Sequence, residues 1–208
     1  MVHCSSRLRP CAALVSLFLL SGCSRTPAQF EAPDVNTQSA AVQAIEQYDG
    51  NGDKSLSTEE LAKCPGILSK ITLYDLNADK AVDQEEIATR LAELLKYGTG
   101  GTALTARVAL NGRPLRGAAV VLEPEPYLGN EVQTAEGVTN GAGSAALGIP
   151  PEYVPEHLRR KKLVHFGTFK VRITHPSISI PEKYNTDTQL GYETEPGNPY
   201  ARFALTSK

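Results

Sequence analysis

Apolar residues recur with two different periods along this 208-residue chain. In the front part, Val42, Ile45 and Tyr48 stand three apart. Ile67, Leu68, Ile71 and Tyr74 form a second set, and Ile87, Leu91, Leu94 and Leu95 a third. That spacing lines one face of a helix, and Pro65-Gly66 interrupts the chain between the helical pieces. After Lys96-Tyr-Gly-Thr-Gly-Gly101 the period changes to alternation. Strand-like runs cover 104–110, 118–122, 131–138, 144–149, 166–175, 177–181 and 200–206, with Asn111-Gly112, Asn140-Gly141 and Gly197-Asn198 as turn signals. Within them Phe169, Val171 and Ile173 alternate with Lys170, Arg172 and Thr174, the mark of a half-buried strand. The pattern predicts an α+β protein of two domains. A small helical pair occupies 39–97, 98–101 is a linker, and 102–208 forms an antiparallel β-sandwich of about seven strands.

The first segment reads as an address. Residues 1–22 contain Arg7 and Arg9 and no acid, then an apolar run over 11–20 that is about half the length needed to cross a bilayer. A basic start, a short apolar core and small residues before a cut define a secretory signal. The ending Leu20-Ser21-Gly22-Cys23 resembles the bacterial lipobox. The resemblance implies cleavage before Cys23, a diacylglycerol on its thiol, and a lipid-anchored place in the bacterial cell envelope, periplasmic or surface-exposed. An uncleaved anchor, or an ordinary signal with an incidental cysteine, is the alternative. The polar, proline-containing stretch 23–38 reads as a lipidated tether. Four cysteines are too few for a disulfide scaffold of this length. Removing the signal leaves Cys23 and Cys64; Cys64 reads as a small buried hydrophobe, and a Cys23–Cys64 disulfide competes if Cys23 is not lipidated.

Charge separates the two modules. Net charge over the chain is only -2, so no basic field points to nucleic acid. Between Ser39 and Tyr97, however, eleven acids face six bases. Two segments there align: Asp49-Gly-Asn-Gly-Asp-Lys-Ser-Leu-Ser-Thr-Glu-Glu60 and Asp75-Leu-Asn-Ala-Asp-Lys-Ala-Val-Asp-Gln-Glu-Glu86. Both follow the EF-hand loop pattern. A calcium ion takes six to eight oxygens at roughly 2.3–2.6 Å. Asp49, Asn51 and Asp53, and Asp75, Asn77 and Asp79, occupy the alternate positions whose side chains turn inward. Ser55 and Ala81 need offer only a backbone carbonyl, Ser57 and Asp83 act through a water, and Glu60 and Glu86 supply both carboxylate oxygens. Leu56 and Val82 face away, and in a paired EF-hand they meet in a short antiparallel bridge. Two Ca2+ ions are the expected cofactors.

Two departures stand out. The sixth loop position favours glycine because its φ is positive, yet Lys54 and Lys80 occupy it. The loops also begin only 26 residues apart, which keeps the intervening helices short. The competing reading is a pair of acidic loops that cap helix starts without metal.

In the β part, Val108-Ala-Leu-Asn-Gly-Arg-Pro-Leu-Arg-Gly-Ala-Ala-Val-Val121, Thr139-Asn-Gly-Ala-Gly-Ser-Ala145 and Gly167-Thr-Phe-Lys-Val-Arg-Ile173 resemble the opening hairpin, a turn and a late core strand of carboxypeptidase-regulatory-like domains. That resemblance implies a transthyretin-like sandwich, and kinship at the level of fold names no function. His157, His165 and His175 lack the spacing of a carboxypeptidase zinc site, and no Gly-x-Ser-x-Gly elbow or phosphate loop is present. The expectation is a non-enzymatic calcium-binding lipoprotein with calcium as a structural staple. Its sandwich is displayed for a protein or glycan partner. A calcium-dependent carbohydrate-binding module is the alternative, and an unrecognised hydrolase a more distant one.

Overall fold

The computed structural model describes Met1, residues 29–96 and residues 99–207; the expected signal segment 1–22 and the lipidation site Cys23 lie outside the described residues. The described chain is α+β, with a helical layer first and the long strands after it. The helical layer runs α1 (Thr37–Tyr48), β1 (Ser55–Ser57), α2 (Thr58–Leu61), α3 (Pro65–Leu68), α4 (Ile71–Tyr74), β2 (Ala81–Asp83) and α5 (Gln84–Leu95). Asn36 starts α1 by accepting the Ser39 N–H at 2.9 Å, satisfying one of the free donors of the first turn. The buried stripe of α1 is Ala40, Ala41, Ala44 and Tyr48, whereas Val42 is 37% exposed and Ile45 half-buried. Small residues let α1 lie close against α5, which buries Ile87, Ala88, Leu91 and Leu94.

Ten strands follow: β3 (Gly101–Thr102), β4 (Leu104–Leu110), β5 (Arg113–Pro114), β6 (Ala119–Pro124), β7 (Ala135–Val138), β8 (Ser144–Leu147), β9 (Val164–His165), β10 (Gly167–Thr174), β11 (Gly191–Thr194) and β12 (Tyr200–Leu205). One sheet has the order β11-β10-β6-β7; in the other β4 pairs with β12, β5 and β8; β3 and β9 form a two-stranded ribbon. Phe169, Val171 and Ile173 of β10 are fully buried, as their alternation predicts. The long pairings are antiparallel with one exception: β12 runs parallel to β4, against the expectation of an antiparallel arrangement throughout. No hairpin turn ties these two strands, so the intervening chain acts as the crossover that parallel pairing requires.

Two strand assignments need correction. The run 177–181 joins no sheet, because His175 Nδ1 accepts the N–H groups of both Ser177 and Ile178 at 3.0 Å and curls the chain between Pro176 and Pro181. Conversely, β11 arises in a stretch with little apolar alternation and is held by its ladder to β10.

The helical layer and the sheets share one hydrophobic cluster, in which Tyr48, Leu56 and Ile67 join Leu122, Phe169 and Phe203. Contact between the layers is close enough to exclude side chains. A Cβ on Gly191 of β11 would lie 1.6 Å from the Pro65 carbonyl oxygen of α3. The stretch expected as tether and linker is likewise part of the fold. Phe30 is 7% exposed and stacks on His165 with ring centroids 5.0 Å apart, and Gly100 donates its N–H to the Phe30 carbonyl. The tether reading therefore ends before Phe30, because its ring has an apolar surface to cover. Among the described residues no helix is long and apolar enough to cross a membrane.

Candidate metal centre

The two acidic loops, 49–60 and 75–86, lie side by side because β1 and β2 pair antiparallel, with Leu56 opposite Val82. Both side chains have no exposure, so the bridge is sealed from water on its inner side. The two loops then repeat one hydrogen-bond pattern. Asp49 Oδ2 accepts the Lys54 N–H at 2.9 Å, and Asp75 Oδ2 accepts the Lys80 N–H at 3.0 Å. Asn51 and Asn77 accept the N–H of Asp53 and Asp79, each at 2.8 Å, and donate Nδ2 back to the same aspartates. Asp53 and Asp79 in turn accept the N–H of Ser55 and Ala81 at 2.9 Å. Glu60 Oε1 takes the N–H groups of Gly50 and Asn51; Glu86 Oε1 takes those of Leu76 and Asn77.

The sixth position adopts the backbone that the pattern demands. Lys54 has φ 71° and Lys80 φ 72°, the left-handed region that L-residues enter at a cost. At the fourth position the first loop has Gly52 at φ 79° and the second has Ala78 at φ 62°. Apart from the first aspartate's Oδ1, which takes the Gly52 N–H in one loop and the Asp79 N–H in the other, and the Ser55 and Ser57 hydroxyl bonds of the first loop, one twelve-residue conformation has been built twice, against local preference at three non-glycine positions.

Ser57 and Asp83 were expected to reach a metal through water. Their side-chain oxygens cap α2 and α5, accepting the N–H of Glu60 at 3.3 Å and of Glu86 at 2.9 Å. Glu60 and Glu86 return the bond through Oε2 to the backbone of Ser57 and Asp83, which completes a capping box in each loop. These backbone donors hold the Glu60 carboxyl below the usual carboxylate range, the Ser57 N–H first and the Gly50 N–H next. The Asp53 carboxyl is lowered in the same way by the Ser55 N–H and then by Asn51.

Among the described residues no three His, Cys, Asp or Glu side chains converge as a metal-binding group. The donors nonetheless suit a hard cation. Each loop presents three or more carboxylates and an asparagine oxygen from one short segment, with the backbone already turned at its sixth position. A carboxylate oxygen has two lone pairs, so accepting one N–H leaves it able to serve a metal.

Residues outside the loops anchor this unit to the sheets, and sequence reading missed them. Tyr48 and Tyr74, each immediately before its loop, donate their hydroxyls at 2.9 Å to Glu125 and Glu193, two glutamates with no exposure. Glu125 also accepts the Gly66 N–H at 2.9 Å and has Lys170 Nζ at 3.7 Å. Burial pushes its carboxyl up, against the pull of Gly66 and Lys170. Arg90 of α5 pairs with Glu193 and Glu195, and Lys70 with Glu195. Cys64 is a free thiol with no exposure; burial, and then the charge of Glu125, push it up. The available signal was the tyrosine repeated ahead of both loops, which extends the internal likeness beyond the metal pattern. No family model matches this chain, and neither does any curated protein or solved structure.

Proposed function

We propose that this chain is a non-enzymatic calcium-binding lipoprotein of the bacterial cell envelope. Its paired EF-hand binds Ca2+ as a structural staple, and a transthyretin-like sandwich is displayed for a protein or glycan partner. One observation carries the metal reading: both loops take the same hydrogen-bonded conformation, with positive φ at Lys54 and Lys80, although neither is glycine. Asp49, Asn51, Asp53 and Glu60 would hold one ion, with the Ser55 carbonyl; Asp75, Asn77, Asp79 and Glu86 would hold the other, with the Ala81 carbonyl. Bound calcium would neutralise carboxylates that otherwise repel one another. The sharing of one core by loops and sheets suits a staple better than a sensor, since an opening motion would have to break the buried Tyr48–Glu125 and Tyr74–Glu193 bonds.

The capping boxes favour a second reading, in which the loops are metal-free caps that start α2 and α5. Calorimetric titration of the full chain with CaCl2 separates the two. Two sites are expected, Glu60→Gln and Glu86→Gln each removing one. At a hundredfold excess of free calcium over Kd, each site should add about 2.7 kcal/mol of stability. A melting curve unchanged by EGTA and absent heats of binding would establish the metal-free caps.

A further inference from the structure

On the outer face of the second sheet, the parallel register sets Arg202 of β12 beside Arg107 of β4. Both are exposed, while their chain neighbours Val108 and Phe203 point into the core. The next pair outward on the same face is Ala204 beside Ala109, and Ala109 in turn faces Pro114 of β5. Two arginines, two alanines, Pro114 and the turn residue Gly112 thus line a cleft of about 300 Å³. Outside the cleft lining, two residues before Arg202 on β12, stands Tyr200, 54% exposed, with its ring centroid 5.6 Å from the Arg107 guanidinium carbon.

Among the described strand pairings, this is the one that sets two cations directly side by side. Arg90, Arg172, Lys70 and Lys170 all have carboxylate partners. Among the described residues, no carboxylate lies within ion-pair distance of Arg107 or Arg202. Like charges on directly paired strand residues destabilise a sheet, and an anion seated between them would reverse that sign. Two guanidinium forks from adjacent strands suit the several oxygens of one carboxylate or phosphate. The alanine floor lets a ligand approach the sheet, and the Tyr200 ring offers an apolar face at the rim. The volume sits at the small end of ligand sites, roughly 300–1,000 Å³.

We propose that this cleft binds a small anionic saccharide, a sugar acid or sugar phosphate, with its oxyanion between Arg107 and Arg202 and its ring toward Tyr200. None of the cleft residues belongs to the acidic loops, so the proposal stands apart from calcium binding. The test is titration of the full chain with glucuronate, glucose 6-phosphate, glucose and inorganic phosphate, in CaCl2 and again in EGTA. Both charged sugars should bind, and glucose at least about tenfold more weakly. Arg107→Gln and Arg202→Gln should each weaken the charged sugars about tenfold without lowering the melting temperature, and Tyr200→Ala should weaken them less. Raising salt from roughly 50 to 200 mM should also weaken binding. Failure of both charged sugars to bind, or equal binding by Arg202→Gln, would overturn the site. Inorganic phosphate binding as tightly as glucose 6-phosphate would overturn the saccharide assignment.

Discussion

The hydroxyl of Tyr48 donates a 2.9 Å hydrogen bond to Glu125, a glutamate with no solvent exposure. Tyr74 occupies the same place before the second loop and makes the equivalent bond to Glu193. The residue that leads into each acidic loop is therefore also the residue that anchors it to the β-layer. Burial, and then the neighbouring glutamate, push both phenols up, so they remain protonated donors at any ordinary pH.

Removing either hydroxyl should be costly. Tyr48→Phe leaves Glu125 with the Gly66 N–H and a 3.7 Å approach from Lys170. Tyr74→Phe leaves Glu193 to Arg90. Each substitution is expected to lower stability by about 1–3 kcal/mol in denaturant unfolding, since a buried charged acceptor loses a donor. The Tyr48 variant should suffer more, because Arg90 holds Glu193 at 2.5 Å. A neutral Tyr48→Phe would show that the bond contributes nothing.

Burial lowers the His165 imidazole from its ordinary 6.5 to about 4. Its Nδ1 accepts the Gln133 N–H at 3.1 Å, and its ring stacks on Phe30. Between these two values the unfolded chain takes up a proton that the folded chain does not. Stability should therefore fall as pH drops from about 6.5 toward about 4 and level off below, with a total loss of up to roughly 3 kcal/mol. An NMR titration of the ring reports the midpoint directly; a midpoint near 6.5 would contradict the buried, neutral state.

Lys54 and Lys80 sit at φ 71° and 72°. Exchanging either for glycine removes the Cβ conflict, which costs an L-residue roughly 1–2 kcal/mol, and gives back part of that as chain entropy in the unfolded state. Lys54→Gly and Lys80→Gly should each gain about 0.5–1 kcal/mol in thermal unfolding, the two gains adding because the residues share no partner. A loss in both variants would mean that the lysine side chains contribute more than the turn costs.

Gly191→Ala probes the seam between the layers. Its new methyl would fall 1.6 Å from the Pro65 carbonyl oxygen, a backbone atom that cannot rotate away. The layers must part or β11 must leave its ladder, and the expected cost is about 3 kcal/mol, the upper end for overpacking. Hydrogen exchange should show lost protection in α3 and β11 first. Unchanged protection there would mean that the seam is looser than its geometry.

The acidic loops were legible in sequence because their chemistry is local. Side chains two to five residues apart satisfy the backbone of one turn, so the pattern Asp-x-Asn-x-Asp survives in linear order, and the Leu56–Val82 pairing follows from repeating it. The strand over residues 104–110 and the buried alternation of β10 were legible for a similar reason, each side chain declaring its own face. Other features depended on partners far away in the chain. Phe30 is buried because His165 and β9 stand beneath it, and β12 is parallel to β4 because of where the intervening chain returns it. Glu125 and Glu193 are buried where tyrosines from another layer meet them, a relation between residues more than 70 positions apart. Local order determined which side chains could gather oxygens around a turn; tertiary packing decided what those turns are fastened to, since burial belongs to the assembled layers and to no single segment.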